Sequence, residues 1–93
     1  EARIRGVASQ CGLDLTGVRL QEADLSQADL RKTVLRGADL GHARFDEAKT
    51  AGADLREAIL TAVDLRSWDL TGVRLDLALA VQLAESYGAV VDP

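Results

Sequence analysis

The sequence predicts an all-β solenoid of pentapeptide repeats, closed at its C-terminal end by one α-helix. Three observations predict it. Every fifth residue from Leu15 to Leu75 is leucine, with Phe45 and Thr50 the exceptions. Two residues before each stands a second, mostly small series that includes Ala23, Ala28, Ala38, Ala43 and Ala53, with Trp68 its bulky member. After Leu75 the spacing turns helical, with Leu77, Ala80, Val81 and Ala84 on one stripe and Leu79, Leu83 and Tyr87 on the next.

A period of five suits neither a helix, whose apolar face returns every three to four residues, nor a strand, which alternates. It suits a coil in which each pentapeptide makes one side. Four sides close a square turn of about 20 residues, and the chain climbs one strand spacing, about 4.8 Å, per turn. The leucine and the small residue point inward and the other three positions point out. Each turn then buries its apolar edge only against its neighbours, as solenoids do.

Residues 1–12 read as an irregular or register-shifted coil. Ala2 with Ile4, and Val7 with Ser9, repeat the spacing, but their count would centre the next unit on position 14 instead of 15. One extra residue near Cys11 and Gly12 is most simply absorbed as a bulge, which glycine permits. Residues 13–75 form the repeat body, slightly more than three turns. Its weakest unit is Ala48-Lys49-Thr50-Ala51-Gly52, where a local irregularity is expected and a buried Thr50 must bond its hydroxyl to backbone or water. Trp68 is expected either to turn outward or to plug the last turn. The outward middle position recurs every fourth repeat. It places Asp24, Arg44 and Asp64 in one column and Asp29, Lys49 and Asp69 in another, so that opposite charges on successive turns can pair.

Residues 76–93 form a capping or dimerisation helix and a tail, with Asp76 as N-cap and Gly88 as C-cap. At 100° per residue the apolar arc is about 200° wide. One stripe suffices to close the leucine stack, so the other is surplus and marks an interface. Leu77, Val81 and Ala84 are assigned to the core cap. Leu79, Leu83 and Tyr87 are assigned to a two-fold dimer contact; the reverse assignment stays open.

The 93 residues carry a net charge of −4, which argues against nucleic acid as a direct ligand. The single Cys11 cannot form an internal disulfide, reads as a small, partly buried side chain, and fits a cytoplasmic setting. No apolar run is long enough to span a bilayer, so no membrane partner is expected. His42, the one histidine, lies at an outward position and reads as a solvated surface residue. There is no Cys/His metal spacing and no phosphate-binding glycine loop. No catalytic residue, cofactor or metal is assigned, and an enzyme is not expected. The chain starts at Glu1 in mid-repeat, which suggests a piece of something longer.

The Ala-Asp-Leu units at Ala23-Asp24-Leu25, Ala28-Asp29-Leu30, Ala38-Asp39-Leu40 and Ala53-Asp54-Leu55 resemble the pentapeptide-repeat proteins. The resemblance implies a right-handed quadrilateral β-helix. The segment from Leu30 to Leu40, followed by Asp76 to Gly88, is similar to the C-terminal half of fluoroquinolone-resistance pentapeptide proteins of the mycobacterial type. That implies a homodimer through C-terminal helices, a rod that mimics duplex DNA, and DNA gyrase as the partner that is inhibited or protected. Asp24, Asp29, Asp54, Asp64 and Asp69 are the candidate acidic surface. Net charge argues the other way: from Leu13 to Leu75 eleven acids face nine Lys or Arg, a net of −2. Three turns span about 15 Å, and duplex DNA of that length carries about nine negative charges. The alternative is therefore a structural or protein-interaction solenoid, or an engineered fragment of the fold, without gyrase activity.

Overall fold

Burial follows the period of five. Leu25, Leu30, Leu35, Leu40, Leu55, Leu60 and Leu65 are all buried, and so are Ala23, Ala28, Ala38 and Ala53 of the small series. Toward the ends, Leu15, Leu70 and Leu75 are partly buried against the same core. The computed structural model describes residues 12–92, a rod of 40 × 23 × 22 Å. The shifted coil and bulge expected before residue 12 lie outside the described residues, as does Cys11.

Successive turns are joined by isolated parallel bridges twenty residues apart. Asp14, Val34, Asp54 and Arg74 form one column, and Arg19, Asp39 and Ile59 a second. Asp24 bridges Arg44 in a third, and Asp29 bridges Lys49 in a fourth. No longer strand forms among the described residues, because each side offers one bridge residue before the chain turns. The hydrogen bonds run along the rod. Leu25 N–H donates to the Arg44 carbonyl at 2.8 Å, and Arg44 N–H donates back to the Ala23 carbonyl at 2.9 Å.

The corners turn through a left-handed residue in every repeat from Leu13 to Gly72 except the one that ends at Ser67. Gly17 and Gly37 take it at φ 70°, while Glu22, Gln27, Lys32, His42, Glu47, Glu57 and Ala62 take it with a side chain, at φ between 59° and 65°. For an L-residue that conformation costs roughly 1–2 kcal/mol. The recurring aspartate offsets part of this. Its carboxylate accepts the N–H two residues on: Ser26 N–H on Asp24 at 3.0 Å, Gly41 N–H on Asp39 at 3.1 Å, Thr71 N–H on Asp69 at 3.0 Å. Asp favours such side-chain-capped turns.

The regular ladder lapses on one side, from Arg44 to Thr50 and in the turn that follows. At Thr50 the backbone keeps its inward register, but the hydroxyl, in place of the N–H, donates to the Asp69 carbonyl at 3.0 Å. The backbone itself departs at a 3₁₀ turn, Leu65–Ser67, capped by Asp64. Its cause is Trp68. The indole goes inward, 7% exposed, into a slot that smaller side chains fill elsewhere. Its ring stacks on Phe45 with centroids 4.6 Å apart and planes tilted by 54°. An added aromatic ring is too wide for the regular turn, so the chain tightens just before it and the bridges of Arg44 with Asp64 and of Lys49 with Asp69 do not form.

Helix α1, Leu77–Ser86, closes the C-terminal end. Asp76 caps it by accepting Leu79 N–H at 3.0 Å, and its other oxygen accepts Glu57 N–H at 2.6 Å from the turn below. Tyr87 is its C-cap, one residue before the expected Gly88, which follows at φ 88° and lets the chain turn away. The rotation of the helix corrects the sequence assignment. Leu79, 4% exposed, and Leu83 pack on the core, whereas Leu77 is 82% exposed. Two anchors set this rotation. Asp76 is held by Glu57, and the Gln82 amide donates to the Leu60 carbonyl at 2.8 Å. Leu79 and Leu83 share the Gln82 side at helical spacing. Val81 and Ala84 are half-buried behind Leu77, and Tyr87 remains exposed.

Candidate interaction surface

The five candidate acids do not form one uniform negative surface. Asp24 is only 6% exposed, and its carboxylate lies 3.6 Å from Arg44 of the next turn. Asp29 is held by Arg31 through two parallel bonds of 2.9 and 2.7 Å. Arg56 holds Asp54 in the same way, also at 2.9 and 2.7 Å. Arg66 holds Asp64 with two bonds of 3.0 Å. Asp69 bonds to Thr71 and has no arginine partner among the described residues.

These contacts fix the charge states. The Arg31 hydrogen bonds bring the Asp29 carboxyl down to about 2, with the charge of Lys49 adding to the effect. The Arg56 hydrogen bonds bring Asp54 down to about 2 likewise. Arg66 lowers Asp64, and Thr71 lowers Asp69. A guanidinium that binds both carboxylate oxygens stabilises the ionised form. The negative charge of three candidates is therefore matched within their own repeat.

Cross-turn pairing, expected in both alternating columns, occurs once in them, between Asp24 and Arg44. In the other column Asp29 turns to Arg31, and Lys49 forms no ion pair among the described residues. Two cross-turn contacts appear elsewhere: Arg36 with Glu57 at 2.9 Å, and the Gln21 amide with Asp39 at 2.7 Å. The signal for the local pairs was present as Asp-Leu-Arg at Asp29, Asp54 and Asp64.

Charge is nonetheless uneven around the rod. The side carrying Asp24, Arg44 and Asp64 also carries Asp46 and Glu47, and these residues enclose two open cavities of about 270 and 330 Å³. The side carrying Asp29, Lys49 and Asp69 also carries Arg31 and Lys32. At the C-terminal end Leu77, Tyr87, Val90 and Val91 are exposed together on the helix and tail. His42 sits at an exposed corner. Among the described residues no cluster of three His, Cys, Asp or Glu could hold a metal ion, and no helix is long and apolar enough to cross a membrane.

A leucine-filled coil with capped, ion-paired pentapeptide corners defines a class, the β-helix solenoids of repeat proteins. Within it the chain belongs to the pentapeptide-repeat family, whose model matches residues 14–49 and 38–76 with eight copies of the repeat. No curated protein sequence matches significantly. Among solved structures the chain is similar to full-length QnrB1, a plasmid-mediated fluoroquinolone resistance protein. The TM-score is 0.58 and the identity 25%, over 89% of this chain and 45% of that one. A trypsin-treated form of QnrB1 gives a TM-score of 0.53 and 29% identity over 99% of this chain and 43% of that one. The chain thus spans under half the length of these two structures. A pentapeptide repeat protein, Rfr23, from the cyanobacterium Cyanothece 51142 is 35% identical over 69% of this chain and 50% of that one, with a TM-score of 0.45.

Proposed function

We propose that this chain is a non-enzymatic, protein-binding pentapeptide-repeat protein of the fluoroquinolone-resistance type. In this reading it is a right-handed quadrilateral β-helix that acts in the cytoplasm as a homodimer and binds and modulates DNA gyrase. The observation that carries the reading is the rod itself. Its cross-section of 23 × 22 Å has the girth of a nucleic-acid duplex, and its fold follows that of QnrB1. The side with Asp24, Asp46, Glu47 and Asp64 is the one that would face a surface built to hold DNA. Leu77, Val81 and Ala84, with Tyr87 beside them, are the stripe that would meet its two-fold mate, which would double both the rod and its charge.

A second reading, a protein-interaction solenoid without gyrase activity, is favoured by one observation. The guanidinium pairs on Asp29, Asp54 and Asp64 cancel charge that a DNA mimic needs. Gyrase supercoiling assays with graded protein, with and without a fluoroquinolone, decide between the two. Inhibition or drug protection is expected. The Leu77→Glu variant, monomeric by sedimentation equilibrium, should lose most of the effect. A folded, dimeric wild type that leaves supercoiling and drug sensitivity unchanged would leave only the second reading.

A further inference from the structure

The ladder between the second and third turns is missing on one side, and the groups it leaves are chemically specific. Between the first and second turns, Leu25 and Gln27 donate their N–H groups to the carbonyls of Arg44 and Asp46 at 2.8 Å, and Arg44 N–H bonds back to Ala23. One turn on, the equivalent groups are Phe45 N–H, Glu47 N–H and the Ala43 carbonyl. None of the three has a hydrogen-bond partner among the described residues. The 3₁₀ turn Leu65–Ser67 has redirected the opposite backbone, and Trp68 on Phe45 keeps the two turns from closing up. An open slot of about 330 Å³ lies there, lined by Ala43, Arg44, Phe45, Asp46, Asp64 and Ser67 among others.

A carbonyl and, two residues later, an N–H flanking one bridge residue are what a parallel main chain needs to pair. An edge with both groups open is a template for strand addition. The rim adds a preference. Asp46 and Glu47, neither in an ion pair among the described residues, border the slot or its lip; Asp64 is held by Arg66, and the Arg44 guanidinium leans toward Asp24 at 3.6 Å. We propose that this slot binds an extended, basic peptide segment of a partner protein. The segment's main chain bridges to Ala43 and Phe45 across Arg44, and its cationic side chains meet Asp46 and Glu47. The site is independent of the gyrase reading.

The probe is the peptide acetyl-Lys-Val-Lys-Val-Lys-amide, titrated into the ¹⁵N-labelled full chain. Saturable shifts of the Phe45 and Glu47 amides are expected, with slower hydrogen exchange at both, while Leu25 and Gln27 stay put. The same peptide N-methylated at its central residue loses one main-chain bond and should bind roughly fivefold more weakly. Trp68→Ala restores an Ala-Asp-Leu repeat. In that variant the Phe45 and Glu47 amides should be protected without peptide, and the titration should vanish. Glu47→Lys, which leaves Trp68 and the core in place, should weaken binding by about tenfold through charge alone. The proposal is overturned if Phe45 and Glu47 do not respond to the peptide, if shifts spread evenly over all acidic residues, or if the N-methylated peptide binds as well as its parent.

Discussion

The aspartate that recurs before most of the leucines has two jobs, and only one was visible in the sequence. Its period marks it as part of the repeat. That its carboxylate folds over its own corner, and there collects an arginine two residues later, depends on how the corner turns, left-handed after Asp29 and Asp54 and 3₁₀ after Asp64. Period alone pointed to partners twenty positions away, and cross-strand spacing made that reasonable. The nearer partner wins because the turn already brings residues two apart onto one side, so little side-chain freedom is lost in pairing. The pairs have a pH signature. Asp29 and Asp54 titrate near 2 in the folded chain against an ordinary value of 3.8. A carboxyl with a lowered folded value stabilises the fold above its unfolded value and loses that contribution as pH falls through the folded one. Thermal midpoints should therefore be insensitive to these two groups above about pH 5 and drop between about pH 4 and pH 2. Asp54→Asn should lower the midpoint at pH 7 and flatten the acid slope. A slope identical to wild type, followed by circular dichroism, would show that Asp54 is not among the groups responsible.

At the scale of elements, the start of α1 could be read directly and its end to within one residue, because Asp76 and Gly88 carry capping chemistry in their own side chain and backbone freedom. The rotation of the helix could not. Both stripes are apolar, so pattern alone does not rank them, and the decision rests on the bonds of Asp76 with Glu57 and of Gln82 with Leu60. Thr50 and Trp68 make a similar contrast. Each departs from its series, but a hydroxyl of Thr size fits the regular turn and finds a carbonyl, whereas an indole reshapes the backbone beside it. The consequence for stability is asymmetric. Leu79→Ala should cost about 2–4 kcal/mol, since it empties a buried site that closes the stack. Leu77→Ala should stay within about 0.5 kcal/mol for the isolated chain. Urea titrations of the two variants at low concentration, where any dimer is dissociated, measure the difference. Equal losses would mean that the helix does not sit on the core through Leu79.

For the whole molecule, the solenoid was legible because one periodicity sets every turn, while its surface was not, because net potential depends on pairings that a count of charges misses. The junctions between turns also differ in strength, and this has a mechanical meaning. The hydrogen bonds that join turns run along the rod, so a pull from Leu13 to Val91 loads the junctions one after another, like links in a chain. The first junction is bonded on all four columns. The second is joined by backbone bonds near Asp54 and Ile59, by Gly52 to Thr71, and by the Thr50 hydroxyl alone in the sector of Arg44 to Thr50. The third, below α1, keeps the Asp54–Arg74 bridge, the Glu57 N–H on Asp76 and the Gln82 amide on Leu60, so under tension both should part while the first still holds. A single-molecule trace should then release the C-terminal forty or so residues, roughly 130–140 Å in all, before the first two turns yield. A trace in which the first two turns separate before that length is reached would show that the second junction is not weaker than the first. If the weak link is this junction, the rod is a spring that fails at its tryptophan.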